Sequence, residues 1–117
     1  MKILVLGGSG KLGLEIIKKL LMNDCQILAH HFQNDIHIKK NKLEYIQLNI
    51  YENLDKIYNK LHNISMIINC IGEYKKSDKM HYVNSLFIKK FIETIKIKRI
   101  KHDIHWVQFS SIGIYGA

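Results

Sequence analysis

A chain of 117 residues, 47% of them hydrophobic, fits one domain with little room for a second and has enough apolar mass for a core, so disorder is not the expected state. No stretch approaches the roughly 18 unbroken apolar residues of a membrane span. The net charge of +8 comes from lysines scattered along the chain, paired only at Lys18-Lys19, Lys39-Lys40, Lys75-Lys76 and Lys89-Lys90. No basic stripe is interleaved with aromatics, so the charge reads as a solvated surface rather than a nucleic-acid footprint.

The elements follow in chain order. Lys2–Leu6 is a short apolar run, read as a strand buried on both faces. It is too short for the apolar region of a secretory signal, which makes the cytoplasm the expected compartment. Lys11–Met22 places Leu12, Ile16, Ile17, Leu20 and Leu21 at the spacing of an amphipathic helix, ended by Asn23-Asp24. Gln26–Phe32 reads as a second strand, residues 33–42 as a loop, and residues 43–50 as a third strand. Residues 53–61 carry a short helix through Leu54, Ile57, Tyr58 and Leu61. Ser65–Ile71 is a fourth strand, residues 81–96 a long helix, and residues 104–109 a fifth strand.

Strands alternating with helices imply right-handed crossovers and a parallel sheet. The expected fold is α/β: a doubly wound parallel sheet of about five strands in the order 3-2-1-4-5, with helices on both faces. Ligands of such sheets bind beyond the carboxyl ends of the strands, where strand order reverses. That point lies between the first and fourth strands. Residues 7–13 and 69–72 therefore converge on one crevice, with Ser110-Ser111 bordering the same side.

Residues 7–13, Gly-Gly-Ser-Gly-Lys-Leu-Gly, join the first strand to the first helix. Glycines permit a tight turn and let the backbone approach a pyrophosphate, and the helix start presents unpaired N–H groups at a positive dipole end. After a buried strand and before an amphipathic helix, this is a strong dinucleotide signal. A Walker phosphate loop is excluded, because Gly10-Lys11 is followed by Leu12 instead of Ser or Thr.

The spacing Gly7-x-x-Gly10-x-x-Gly13 resembles the Rossmann-type turn of the short-chain dehydrogenase/reductase superfamily, in its extended branch, the NAD-dependent epimerase/dehydratase family. Three later segments agree in order. Ile68-Asn69-Cys70-Ile71-Gly72 is similar to the Asn-x-Ala-Gly element, Val83-Asn84 to the family's helix Asn, and residues 107–116 to the Ser-Ser-x-x-Val-Tyr-Gly signature. The resemblance covers essentially the whole chain as the front portion of such an enzyme. It implies a dinucleotide held by Gly7, Ser9, Gly10, Lys11, Leu12, Gly13, His31, Asn49, Ile50, Cys70, Ile71, Gly72 and Asn84.

Where the family places an acidic residue for the ribose hydroxyls, this chain has His31, and Asn49 replaces an Asp near the adenine. Loss of that carboxylate leans the expected cofactor towards NADP over NAD, with Lys11, His31 or Lys39 as sources of positive charge. His30 and His31 read equally well as ordinary strand-end residues.

Ser111 corresponds to the family's catalytic Ser, though a Ser there could also simply cap the turn. Asn84 matches a structural or proton-relay Asn, and equally a solvent-exposed residue on a helix. The family's Tyr-x-x-x-Lys pair has no counterpart: none of the tyrosines is followed four places on by Lys. Tyr115 belongs to the Tyr-Gly signature. The catalytic pair and the substrate lobe are expected beyond Ala117, the substrate being a sugar nucleotide or a similar hydroxyl or carbonyl compound. A non-catalytic dinucleotide-binding module or redox sensor is the alternative reading. An unpaired fifth strand would favour self-association. Cys25 and Cys70 read as reduced structural thiols, and the seven histidines form no metal-ligand set.

Overall fold

The computed structural model describes residues 1–32, 35–38, 40–49, 54–71, 87–97 and 103–108. Five strands form one parallel sheet: β1 (Lys2–Leu6), β2 (Gln26–His31), β3 (Leu43–Gln47), β4 (Met66–Asn69) and β5 (His105–Gln108). Their spatial order is β3-β2-β1-β4-β5, as expected from the sequence. The helices are α1 (Lys11–Met22), the single turn α2 (Asp55–Tyr58) with a 3₁₀ turn at Leu61–Asn63, and α3 (Phe87–Ile97).

The period-2 geometry of a strand divides β1 between two cores. Ile3 and Val5 point to one face, where they pack with Ile27, Ala29, Leu43 and Ile68 beneath α1 through Ile17. Leu4 and Leu6 point to the other, with Leu28, Ile46 and Ile67 beneath Ile57, Leu61 and Phe91. Phe91 is fully buried and edge-stacked on Tyr58 and Trp106, with ring centroids 5.1 and 5.4 Å away, so it pins α3 to the sheet. Two apolar faces on each central strand are what the continuous Ile/Leu/Val runs encode.

The C-terminus of α1 closes through Asp24, whose positive φ of 61° lets its N–H and that of Cys25 return to Leu21 and Leu20 carbonyls. An exposed Lys42–Asp24 ion pair spans the gap to the start of β3. Helix ends differ from the periodic reading in one place. The apolar set Leu54, Ile57, Tyr58 and Leu61 is buried as expected, yet the segment breaks into a four-residue helix and a 3₁₀ turn rather than one helix over 53–61. The expected helix over 81–96 is described from Phe87 onward. No helix among the described residues is long and apolar enough to cross a membrane.

Candidate functional site

The carboxyl ends of β1, β2, β3 and β4 meet at the glycine turn. Gly7 leaves β1 with φ +74°, a left-handed conformation that L side chains rarely adopt. It also touches the end of β4: a Cβ there would lie 3.0 Å from Ile71 Cγ1 and 3.2 Å from the Cys70 carbonyl carbon. The two segments expected to converge are therefore in contact. The Cys70 N–H donates to the Leu6 carbonyl at 2.9 Å, carrying the β1–β4 ladder to the lip of the crevice. Burial pushes the Cys70 thiol up to about 11, so Cys70 presents a neutral, unreactive wall.

Each glycine of the turn has a different reason to lack a side chain. A Cβ on Gly13 would drive into the Gly7 carbonyl oxygen and sit 2.8 Å from Gly8 Cα, so Gly13 is what lets α1 lie directly on the turn. Gly8 is filled from below by Ile17 and Ile36, whose Cδ1 atoms would lie 2.9 and 3.1 Å from its Cβ. Gly10 is unlike both. Its φ of −74° and ψ of 168° suit any residue, and among the described residues a Cβ there would meet only the Gly7 carbonyl oxygen, at an ordinary 3.5 Å. Neither conformation nor packing against the described residues requires glycine at position 10.

Gly10 is also the N-cap of α1, with no side-chain cap and no acidic residue in the first turn. Most helices place Ser, Thr, Asp or Asn there to satisfy the first N–H groups. Here the amides of Lys11, Leu12 and Gly13 open the helix without such a cap, beside the cleared space at Gly10. Leu12, 43% exposed, adds an apolar side chain to the same rim. Bare amides, a positive dipole end and a missing Cβ fit an anionic diphosphate.

The sequence left His30 as an ordinary strand-end residue; the structure gives it a specific role. The ring is 4% exposed and joins three strand ends. The Gly7 N–H donates to its Nδ1 at 3.0 Å, so Nδ1 carries the lone pair, and Nε2–H donates to the Leu48 carbonyl at 2.8 Å. The Gly8 N–H bonds the His30 carbonyl at 2.7 Å. Burial, then the neighbouring His31, hold the His30 imidazole below its ordinary 6.5 despite the opposing bond to Leu48. A polar residue in an otherwise apolar strand is the signal that could have exposed it, because such a ring needs a partner for each nitrogen.

His31 is also buried, with Nδ1 lacking a hydrogen-bond partner among the described residues and lying 3.9 Å from the exposed Asp35 carboxylate. Asn49 is half-buried directly after Leu48, whose N–H donates to the His31 carbonyl at 2.9 Å. Asn69, fully buried, accepts the Ile71 N–H at 3.1 Å and donates to Gln108 Oε1 at 2.9 Å, so it shapes the β4 end of the crevice from beneath. Ile50, Gly72, Asn84 and Ser111 lie outside the described residues.

The strand order and this crevice define a Rossmann-type doubly wound α/β architecture, and solved structures with the same fold can be set beside it. A short-chain dehydrogenase from Leptospira borgpetersenii, solved with bound NAD+, is 24% identical with a TM-score of 0.73, over 99% of this chain and 54% of that one. A dTDP-glucose 4,6-dehydratase from Bacillus anthracis, solved with NAD, is 19% identical with a TM-score of 0.77, over 98% and 39%. An epimerase from Methanothermobacter thermautotrophicus is 16% identical with a TM-score of 0.74, over 94% and 35%. The solved neighbours are thus dehydrogenase, dehydratase and epimerase structures, of which this chain spans about a third to about half the length. No family model and no curated protein matches the sequence.

Proposed function

We propose that this chain is the dinucleotide-binding part of an NAD(P)-dependent oxidoreductase or epimerase of the extended short-chain dehydrogenase family. The observation that carries the reading is Gly10, a glycine for which packing against the described residues gives no reason, set at the start of α1 without a side-chain cap. The NAD carried by two of the structural neighbours supports it. Gly7, Ser9 and the amides of Lys11, Leu12 and Gly13 would hold the diphosphate, with Cys70 and Ile71 lining the opposite wall. His31 and Asn49 stand towards the adenosine end. When bound, the dinucleotide supplies a hydride donor or acceptor; the described residues bind and orient it.

The finer choice of cofactor falls on His31. No carboxylate occupies the end of β2, where His31 stands instead, so repulsion against a 2′-phosphate is weakened. The Asp35 carboxylate lies 3.9 Å from His31 Nδ1. NADPH is therefore expected to bind at least as tightly as NADH in a fluorescence titration of the protein. NADH tighter by about tenfold would overturn the preference, and binding of neither would overturn the dinucleotide reading itself.

The substrate is proposed from the family resemblance to be a sugar nucleotide or a similar hydroxyl or carbonyl compound. Ser111 is the residue of the 117 proposed to orient the reacting oxygen, and no Tyr-x-x-x-Lys accompanies it. Acid/base chemistry needs a group within about 3 Å of that oxygen with a pKa moved towards neutrality. The 117 residues assayed alone are therefore expected to bind dinucleotide without turning over substrate. Dehydrogenase activity from them would contradict this.

A further inference from the structure

We propose that His30 is a proton-sensitive latch on the glycine turn: its neutral ring holds the Gly7 amide, and its protonation releases the turn and lowers dinucleotide affinity. The inference rests on the dinucleotide reading of that turn for its second half only. Its first half stands on geometry.

The ring has one acceptor and one donor in its neutral form, and the structure uses both. Nδ1 accepts from Gly7 at 3.0 Å and Nε2–H donates to Leu48 at 2.8 Å. A proton added to Nδ1 would set N–H against the Gly7 N–H, and neither could accept from the other. The imidazolium keeps its bond to Leu48 and loses the one that fixes the turn. Since the ring is 4% exposed, water offers the new donor little relief. Gly7 is also the residue whose carbonyl crowds Gly13 and at which a Cβ would lie 3.0 Å from Ile71 Cγ1, so its displacement would disturb both walls of the crevice.

Among the described residues, no counter-charge faces the ring. The turn after β1 presents the Gly7 N–H to the ring, and the residue after β3 presents the Leu48 carbonyl. On its own strand the neighbour is His31, itself a base, and the carboxylate of Asp35 is directed at His31. With the folded-state ring held below its ordinary 6.5, the latch is complete above that value and is lost only as pH falls through the ring's own lowered pKa.

The test measures NAD+ affinity by calorimetry from about pH 7.5 to about pH 5.5 for the wild-type protein and for His30→Gln, whose amide keeps one acceptor and one donor without titrating. NAD+ avoids the titrating phosphate of NADP+. Wild-type affinity is expected to fall several-fold towards the lowest pH while His30→Gln stays flat. A flat wild-type profile, or an equal slope in both proteins, overturns the proposal. In parallel, NMR follows the His30 ring nitrogens and the exchange of the Gly7 amide. Protection of Gly7 lost at the His30 midpoint supports the latch, and protection unchanged through that midpoint overturns it. Should the wild type bind no NAD+ at neutral pH, the dinucleotide reading fails, and this arm alone decides the latch.

Discussion

Gly13→Ala is expected to destabilise the protein by about 3 kcal/mol, the upper end of the usual cost of overpacking, and to abolish dinucleotide binding with it. The added methyl meets backbone on every near side: the Gly7 carbonyl oxygen, Gly8 Cα at 2.8 Å and the Gly7 carbonyl carbon at 3.0 Å. Backbone cannot rotate away as the tip of a Leu could. Relief requires lifting α1 from the sheet, which would draw Ile17 out of the cluster that it completes with Val5, Ile27 and Ala29. Alanine's better helix propensity returns only about 1 kcal/mol. Urea unfolding checks the result; a midpoint equal to wild type would contradict the packing described for the turn.

Gly10→Ser should behave in the opposite manner. Its backbone, at φ −74° and ψ 168°, already has the extended conformation of a helix N-cap. Serine is a better cap than glycine, because its hydroxyl accepts an N–H of the first turn. Space is available among the described residues, where the nearest atom to a Cβ is 3.5 Å away. Stability is therefore expected to stay level or rise by a few tenths of a kcal/mol. Affinity for NAD+ is expected to fall at least about tenfold, or ~1.4 kcal/mol, because the side chain takes both the space and the amide that the diphosphate would use. Calorimetry alongside a melt separates the two effects. Unchanged affinity would mean that the opening at Gly10 serves no ligand. The pair of variants distinguishes a glycine kept for packing from a glycine kept for binding.

Much of this architecture was legible in the sequence because each central strand is apolar on both faces. Leu4 and Leu6 fill one core and Ile3 and Val5 the other, so a continuous run, rather than alternation, was the correct signature. The convergence of Gly7 with Cys70 and Ile71 followed from strand order alone. What was not legible depends on neighbours that no local pattern encodes. The pairing of His30 with Gly7 and Leu48 joins residues 23 and 18 positions apart, and the sequence shows only a His pair at a strand end. The breakup of the segment after Leu54 escaped for a different reason. An α-helix and a 3₁₀ turn bury nearly the same apolar set over one turn, so periodicity does not separate them in so short a piece. Nor did the glycine spacing reveal that Gly8, Gly10 and Gly13 lack side chains for three separate reasons; only the atoms around each one do.

The most direct measurement is residue-resolved: backbone amide shifts of the isotopically labelled protein as NAD+ is added at neutral pH. The amides of Lys11, Leu12 and Gly13 should move most, with Gly7 and Ile71 following from either side of the crevice. Saturating shifts centred elsewhere on the sheet, or none at millimolar dinucleotide, would contradict the claim that the start of α1 grips the diphosphate.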